Sequence, residues 1–153
     1  MNEQLQGFIA GIAKGASFQE NTKIVTVLVP ANELFLSIKS LKDSTAFCFD
    51  FLVNVTGLDM QPQLGVAYHL RSTKKGCDVI VKSFAENRDK PELPSICSLY
   101  KGAELQEREV FDFFGIRFAN NPDLRRIFLE DDWKGFPLRK DYKDEVNIID
   151  LIK

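Results

Sequence analysis

The sequence is poor in the residues that most metal and catalytic centres use. Its 153 residues include one histidine, three cysteines and one tryptophan. A single histidine cannot form a histidine-rich metal site, and three cysteines without a C-x-x-C pair provide neither a zinc knuckle nor a disulfide framework. The odd cysteine count is typical of a reducing cytoplasm. These absences remove most of the common catalytic equipment.

Neither a strong net charge nor a long apolar run is present. The 20 basic and 22 acidic residues give a net charge of -2, which argues against nucleic acid because counterion release needs a basic surplus. No apolar run approaches the roughly 18 residues of a membrane span, and residues 1–4 resemble neither a secretory signal nor a transit peptide. We therefore expect a globular protein, which partners must carry to a membrane if it works there.

Apolar periodicity predicts two helices and four strands in residues 1–90. The helical stripes comprise Leu5, Phe8, Ile9 and Ile12 in the first helix and Leu34, Phe35, Ile38 and Leu41 in the second, which Asn32 is predicted to cap. The strands are predicted at residues 23–29, 47–55, 64–71 and 77–84. The order α-β-α-β-β-β predicts an α+β (two-layer α/β) fold, in which two helices pack on one face of a mixed sheet.

The second of these strands carries the clearest alternation in the sequence. Every other residue from 47 to 55 is apolar, and the predicted buried face consists of Phe47, Phe49, Phe51, Val53 and Val55. Residues 59–63, which include Pro62, end this strand, and residues 73–76 form the hairpin turn before the last strand.

The character of the chain changes after residue 90. A connector at 91–103 contains Pro91 and Pro94, and residues 104–153 form a charged, aromatic-rich C-terminal segment in an extended arrangement with one helix. Of residues 104–143, 17 are charged, and six of the 13 phenylalanines lie between 111 and 136. High charge with high aromatic content is not typical of a disordered tail. It predicts a segment whose large side chains are buried against another surface while its charges pair closely, within one overall structural unit.

One helix is predicted at the start of this segment, over residues 104–115 with Gly115 as its stop. Glu104, Arg108 and Asp112 repeat at i, i+4 and i+8, which places Arg108 between two carboxylates on one face. The apolar side is predicted to contain Leu105, Val110, Phe113 and Phe114.

Four short motifs in this segment carry a family resemblance. They are Glu-Arg-Glu at 107–109, Phe-Gly-Ile at 114–116, Pro-Asp-Leu-Arg-Arg-Ile at 122–127 and Pro-Leu-Arg-Lys-Asp-Tyr at 137–142. In this order and spacing they resemble the thirty-kilodalton subunit, or C-type subunit, of respiratory NADH:quinone oxidoreductase (complex I). The chain departs from the family pattern at Leu105, where a tryptophan is usual, and at Asn121 and Phe136, where histidine is common.

The resemblance implies a non-catalytic accessory subunit in the peripheral arm of a proton-translocating NADH:quinone oxidoreductase. It implies no catalytic, cofactor-binding or metal-binding residues in this chain, with flavin and iron–sulfur clusters held by partner subunits. The expected partners are the large quinone-pocket subunit and the cluster-bearing subunits, at the cytoplasmic side of a bacterial membrane. The predicted partner interface comprises Glu107, Arg108, Glu109, Asp112, Asp123, Arg125, Arg126, Trp133, Arg139, Lys140 and Asp141.

Other functions stay open at this point. The same building block occurs in membrane-bound nickel–iron hydrogenases and in ferredoxin-driven or coenzyme-driven dehydrogenases. A stand-alone enzyme could use the carboxylates of Glu107, Glu109 and Asp112 as an acid–base cluster. Arg125-Arg126 and Arg139-Lys140 could bind a phosphate, although no glycine-rich phosphate loop is present. The acids at 130–132 could hold a cation, but a solvated turn is the commoner role of such a run.

Overall fold

The computed structural model describes residues 2–143. The elements in chain order are α1 (Asn2–Ile12), β1 (Ser17–Phe18), β2 (Val25–Leu28), α2 (Ala31–Asp43), β3 (Phe51–Asp59), β4 (Leu64–Ser72), β5 (Cys77–Phe84), β6 (Glu92–Pro94), α3 (Ala103–Phe114) and β7 (Arg117–Ala119). Within residues 2–143, no helix combines the length and apolarity that crossing a bilayer requires.

The main sheet has five strands in the order β1-β2-β5-β4-β3. β2 and β5 are parallel, and the other neighbours are antiparallel. β6 and β7 form a separate parallel pair that brings residues 92–94 beside 117–119. The mixed sheet and the α+β class are therefore confirmed.

The alternation of buried side chains along β4 shows which face of the sheet packs against the core. Its core-facing residues Leu64, Val66, Tyr68 and Leu70 are fully buried. The core also contains the apolar stripes of α1 and α2, represented by Leu5, Ile9, Leu34, Ile38 and Leu41. Two amphipathic helices thus pack on one face of the sheet, as their periodicity predicts.

α3 joins the sheet at its outer strand, β3. A side chain at Gly57 would overlap the ring of Phe114, so the absence of a Cβ there permits the close approach of helix and strand. The Gln106 side-chain oxygen accepts the backbone N–H of Val55 at 2.6 Å. This bond satisfies a donor on an edge strand that would otherwise be open to another chain. The C-terminal segment therefore begins on the main sheet.

The strand predicted at 47–55 is displaced in the structure. β3 begins only at Phe51, because Cys48 adopts a φ of 50° that interrupts extended backbone. A bulge between Leu52 and Asn54 then shifts the alternation. Phe51 is consequently 53% exposed and Val53 is also exposed, so the predicted burial of these two residues is wrong.

Two further expectations differ from the structure. α2 begins at Ala31 after Pro30, so Asn32 lies in the first turn and does not cap the helix. Proline suits a helix start because its φ is already fixed and its missing N–H costs no bond there. The sequence pattern does not predict β1, β6 or β7, since strands of two or three residues are too short to show a periodicity.

Candidate partner-docking segment

The predicted helix at the start of the C-terminal segment is present as α3. Gly115 ends it at a φ of 69°, a left-handed conformation that glycine adopts without strain, and its N–H donates to the Phe111 carbonyl at 2.8 Å. A side chain at Gly115 would overlap Phe136 and Arg139, so the glycine also lets residues 136–139 return to the helix. Leu105 is exposed, and its predicted place on the apolar side is wrong.

Asp112 organises the turn at residues 126–129. Its fully buried carboxylate accepts the backbone N–H groups of Ile127, Phe128 and Leu129 on Oδ2 at 3.1, 2.8 and 3.0 Å. Oδ1 accepts the Arg126 guanidinium at 2.8 Å. Burial alone favours the neutral acid, but these hydrogen bonds outweigh it and lower the pKa of Asp112. The turn is an anion-binding nest whose anion is the chain's own side chain.

Arg126 connects the same carboxylate to the residues that follow. It donates to the Asp112 backbone carbonyl at 3.0 Å and to the carbonyls of Trp133 and Gly135 at 2.9 and 3.1 Å. Its guanidinium also lies 5.3 Å from the centre of the Phe136 ring. Arg126 therefore holds residues 133–136 against the end of α3, as an internal group of the fold.

Arg108 does not pair with the carboxylates of its own helix face. It donates to the backbone carbonyls of Arg125–Arg126 at 3.2 and 3.0 Å and forms an ion pair with Asp123 at 3.4 Å. Glu104, Arg108 and Asp112 all lie in α3 as the spacing predicts, but Arg108 directs its donors to carbonyl oxygens of the returning chain. Sequence spacing along one helix cannot show a partner contributed from outside it.

Glu107 attaches α3 to the connector at 91–103. Its fully buried carboxylate accepts the Ile96 backbone N–H at 2.8 Å, the Ser95 hydroxyl at 2.7 Å and the Asn121 amide at 2.9 Å. The Cys97 thiol donates to the same group at 3.1 Å. Four donors from two separate stretches of chain therefore converge on one carboxylate.

The environment of Cys97 keeps its thiol protonated. Burial, together with the neighbouring Glu107 carboxylate, raises the pKa of Cys97 to about 12. A protonated thiol is a poor nucleophile and serves here as a hydrogen-bond donor. Asn121 occupies the position where the family commonly has histidine, and it supplies a neutral donor to the same carboxylate.

Arg139 returns the chain to the end of α3. Its Nε donates to the Phe114 carbonyl at 2.6 Å, and its guanidinium lies 4.7 Å from the centre of the Phe136 ring. Burial lowers the pKa of Arg139. Phe136 thus lies between two guanidinium groups, those of Arg126 and Arg139, in the position where the family commonly has histidine.

Lys140 and Asp141 fix the end of the segment to the main domain. The Lys140 backbone N–H donates to Asp59 at 2.9 Å, and the Asp141 carboxylate pairs with Arg88 at 2.9 Å. Arg88 also donates both terminal nitrogens to the Asp59 carboxylate at 2.8 Å. Sequence reasoning missed Asp59 and Arg88, since a single acid at a strand end and a single arginine in the polar loop after β5 carry no distinctive pattern.

Several other residues of the segment are exposed. The Arg125 side chain is 70% exposed and Phe128 is 64% exposed, although its ring stacks on Phe113 at 5.7 Å. Glu109 is also exposed. We define the docking surface as five exposed residues in or beside the turns that Asp112 and Arg126 hold in place, namely Arg125, Ile127, Phe128, Trp133 and Leu138.

The predicted interface residues thus separate into two groups. Glu107, Arg108, Asp112, Arg126 and Arg139 direct their polar groups to partners inside the chain, and Lys140 and Asp141 bind the end of the segment to the main domain. Glu109, Arg125 and Trp133 are accessible, and Asp123 pairs with Arg125 at 2.8 Å. The interface role of all these residues stays a prediction.

Comparison with known proteins identifies the family. The family described as respiratory-chain NADH dehydrogenase, 30 Kd subunit, matches residues 27–146. The chain belongs to this family. The C-type subunit of NADH-quinone oxidoreductase from Moorella thermoacetica is 36% identical over 127 residues, which cover 82% of this chain and 84% of that protein. The predicted family is confirmed, and the motifs that carried the resemblance prove to be the ones that tie the C-terminal segment together.

A longer relative and a solved structure are also similar to this chain. The C/D subunit of NADH-quinone oxidoreductase from Phocaeicola vulgatus is 47% identical over 120 residues, which cover 78% of this chain and 23% of that protein. The chain therefore spans about a quarter of the length of that relative. A solved chain of the membrane-bound sulfane sulfur reductase, an archaeal respiratory membrane complex, superposes with a TM-score of 0.79 at 26% identity, covering 98% of this chain and 89% of that one.

The burial and hydrogen bonds of Glu107 and Asp112 argue against an acid–base role for these two carboxylates. Glu107 and Asp112 have no exposed surface, and protein donors already occupy their oxygens, so a substrate has no access to them. Within residues 2–143, no three metal-ligating side chains, including the acids at 130–132, lie together in a way that could hold a metal ion.

Acid is expected to destabilise the fold through Asp59 and Asp112. The Arg88 guanidinium and the Lys140 N–H lower the pKa of Asp59 below its ordinary 3.8, and the pKa of Asp112 is also lowered. Because both pKa values are lower in the folded state, their stabilisation is complete at neutral pH and is lost as the pH falls below about 4. Urea unfolding between neutral pH and pH 3 should show this loss, on the order of 1 kcal/mol for Asp59, with a further loss from Asp112 in the same direction. Asp59→Asn should flatten the profile, and an unchanged acid limb would contradict the assignment.

Proposed function

We propose that this chain is a non-catalytic subunit of a membrane-associated respiratory oxidoreductase, and that it acts by docking its C-terminal segment on a larger neighbouring subunit. The observation that carries the proposal is the docking surface. Its aromatic and charged side chains are exposed, while the backbone beneath them is fixed by the buried carboxylate of Asp112. Exposed aromatic residues beside an arginine, on a rigid support, are typical of protein interfaces.

The proposed partner is a D-type subunit. The Phocaeicola vulgatus relative is named as a C/D subunit, and this chain matches about a quarter of its length. A single polypeptide of that name supports a close association between a C-type domain and a D-type domain. In a separate chain, the docking surface would supply the equivalent attachment. We further propose that the assembly lies at the cytoplasmic side of a bacterial membrane and couples NADH oxidation to quinone reduction, with flavin and iron–sulfur clusters in the partners.

A second candidate is the equivalent subunit of a related respiratory complex. The superposition on a chain of the sulfane sulfur reductase complex covers nearly the whole of both chains, which favours this alternative specifically. The two candidates share the docking role and differ in the electron donor. NADH-dependent quinone reduction by the purified assembly supports the first candidate, and its absence from an otherwise intact assembly supports the second.

Substitutions in the docking surface should weaken assembly without unfolding the chain. Phe128→Ala and Arg125→Glu are each expected to reduce recovery of the large subunit about tenfold or more, because exposed aromatic and arginine residues dominate interface energies. The measurement is an affinity pull-down of the tagged full chain from native membranes. Matched controls are Leu36→Ala, which removes an equally exposed apolar side chain (64%) on α2, and Arg71→Glu on the sheet.

Charge reversal at Arg126 provides a contrasting variant. Its guanidinium is paired with buried Asp112, so Arg126→Glu is expected to unfold the segment, whereas Arg125→Glu should retain the far-ultraviolet spectrum of the wild type. Recovery of the wild-type chain alone, without any large subunit, would overturn the proposal. A substrate-dependent rate of the pure chain that Glu109→Gln abolishes would favour a stand-alone enzyme instead.

A further inference from the structure

Three charged residues that lie far apart in the sequence meet where the C-terminal segment ends. Asp59 is the last residue of β3, Arg88 follows β5, and Asp141 lies near the end of the described chain. We call these three residues the clasp, and residues 137–142 the strap. The strap belongs to the C-terminal segment, while Asp59 and Arg88 belong to the main domain.

Arg88 uses its three guanidinium nitrogens in the clasp. Its two terminal nitrogens bind the two oxygens of Asp59 at 2.8 Å each, which is the bidentate geometry that suits arginine best. The Nη2 atom also donates to Asp141 at 2.9 Å, and Nε donates to the same carboxylate at 3.4 Å. A lysine could not bridge both carboxylates in this way because its ammonium is a single point donor.

The inner and outer parts of the clasp differ in burial. The Asp59 side chain is almost fully buried, whereas about half of Asp141 is exposed. Asp59 also accepts the Lys140 backbone N–H at 2.9 Å, and Leu138 donates its N–H to the Phe113 carbonyl at 3.1 Å. The Asp59–Arg88 pair is therefore part of the main domain, and Asp141 is the removable contact that closes the strap over it.

We propose that Arg88 is a positioning residue of the docking surface. Arg88 holds the strap against the main domain before any partner binds. Leu138 belongs to both the strap and the docking surface, so closing the clasp fixes an exposed apolar residue where a partner meets it. A segment that is already ordered loses less conformational entropy on binding. The consequence for assembly rests on the proposed function, whereas the clasp itself is a property of the isolated chain.

Hydrogen exchange of the isolated full chain tests the clasp. Asp141→Asn removes the outer charge and leaves the Arg88–Asp59 pair intact, so the main domain should stay folded. Exchange in a peptide covering residues 138–142 is expected to rise about five- to tenfold, in line with the loss of a charge-assisted contact, while β4 and β5 keep their protection. Asp141→Glu should restore much of the protection, because a carboxylate of similar reach can still bind Arg88.

Asp132→Asn is the matched control. Asp132 lies in the same segment, and within residues 2–143 its carboxylate makes no hydrogen bond or ion pair, so this variant should exchange like the wild type. Arg88→Lys should give an intermediate rate. Equal exchange of the strap in Asp141→Asn and wild type would overturn the proposal, as would the same increase in Asp132→Asn. Since no partner is present in this experiment, its failure is distinguishable from failure of the pull-down.

Discussion

Replacing Asp112 by alanine is expected to lower the free energy of unfolding by about 3–5 kcal/mol, the range for removing one partner of a buried ion pair. The substitution leaves the N–H groups of Ile127, Phe128 and Leu129 and the Arg126 guanidinium without their acceptor. Each donor left without an acceptor costs free energy, because the alanine side chain has no atom that accepts a hydrogen bond. Urea unfolding followed by circular dichroism measures the change.

Asp112→Asn refines this expectation. The amide retains an oxygen for the nest but loses the charge, so the loss should be smaller than for alanine, at about 2–3 kcal/mol. Glu109→Ala is the matched control, because Glu109 is an exposed acid on the same helix, and it should change stability by less than about 0.5 kcal/mol. Equal effects of the Asp112 and Glu109 substitutions would show that the nest contributes nothing to folding.

Glu107→Ala is expected to lower the free energy of unfolding by about 2–4 kcal/mol. The change removes the acceptor shared by Ser95, Ile96, Cys97 and Asn121, and it leaves a space at a fully buried position. The connector would lose its attachment to α3, so exchange of the Ile96 amide should rise together with the loss of stability. Thermal unfolding and hydrogen exchange measure the two effects.

The Cys97 thiol offers an independent readout for the same substitution. The wild-type thiol is partly buried beside Glu107, and its pKa of about 12 makes it slow to react with alkylating reagents. Glu107→Ala removes the neighbouring negative charge and loosens the connector, so alkylation near pH 8 should become faster. Glu109→Ala, which removes an exposed acid of the same helix, is the control. Unchanged alkylation in a destabilised Glu107→Ala variant would show that the carboxylate does not govern this thiol.

The carboxylates of Glu107 and Asp112 show how much of the candidate site could be predicted from the sequence. Their grouping on one helix with Arg108 and Glu109 was visible from spacing alone, and so was the choice between a catalytic cluster and an ion-paired interface. The structure shows that both carboxylates bind backbone groups of this same chain, which the spacing did not predict. The residues that satisfy Asp112 lie 14–17 positions later, and a backbone N–H carries no side-chain signature by which a sequence could show it as a partner.

The fold was predictable wherever side-chain burial repeats with a regular period. α1, α2, β4 and β5 follow their apolar patterns because each element buries one face against the same core. β3 departs from its pattern because Cys48 and the bulge after Leu52 interrupt the extended backbone. A bulge changes which side chains point inward without changing their apolar character, so periodicity cannot detect it.

The four C-terminal motifs were enough to determine the family, and the apolar periodicity of residues 1–90 was enough to determine the α+β class. They follow from residue identity and short-range spacing, which the sequence contains directly. Tertiary structure alone decided which charges are internal and which are exposed. Arg125 and Arg126 are neighbours of identical chemistry, yet only Arg126 meets the buried Asp112 carboxylate. That difference depends on where α3 lies when the chain returns to it, and it separates the residues that hold the segment from those that can meet a partner.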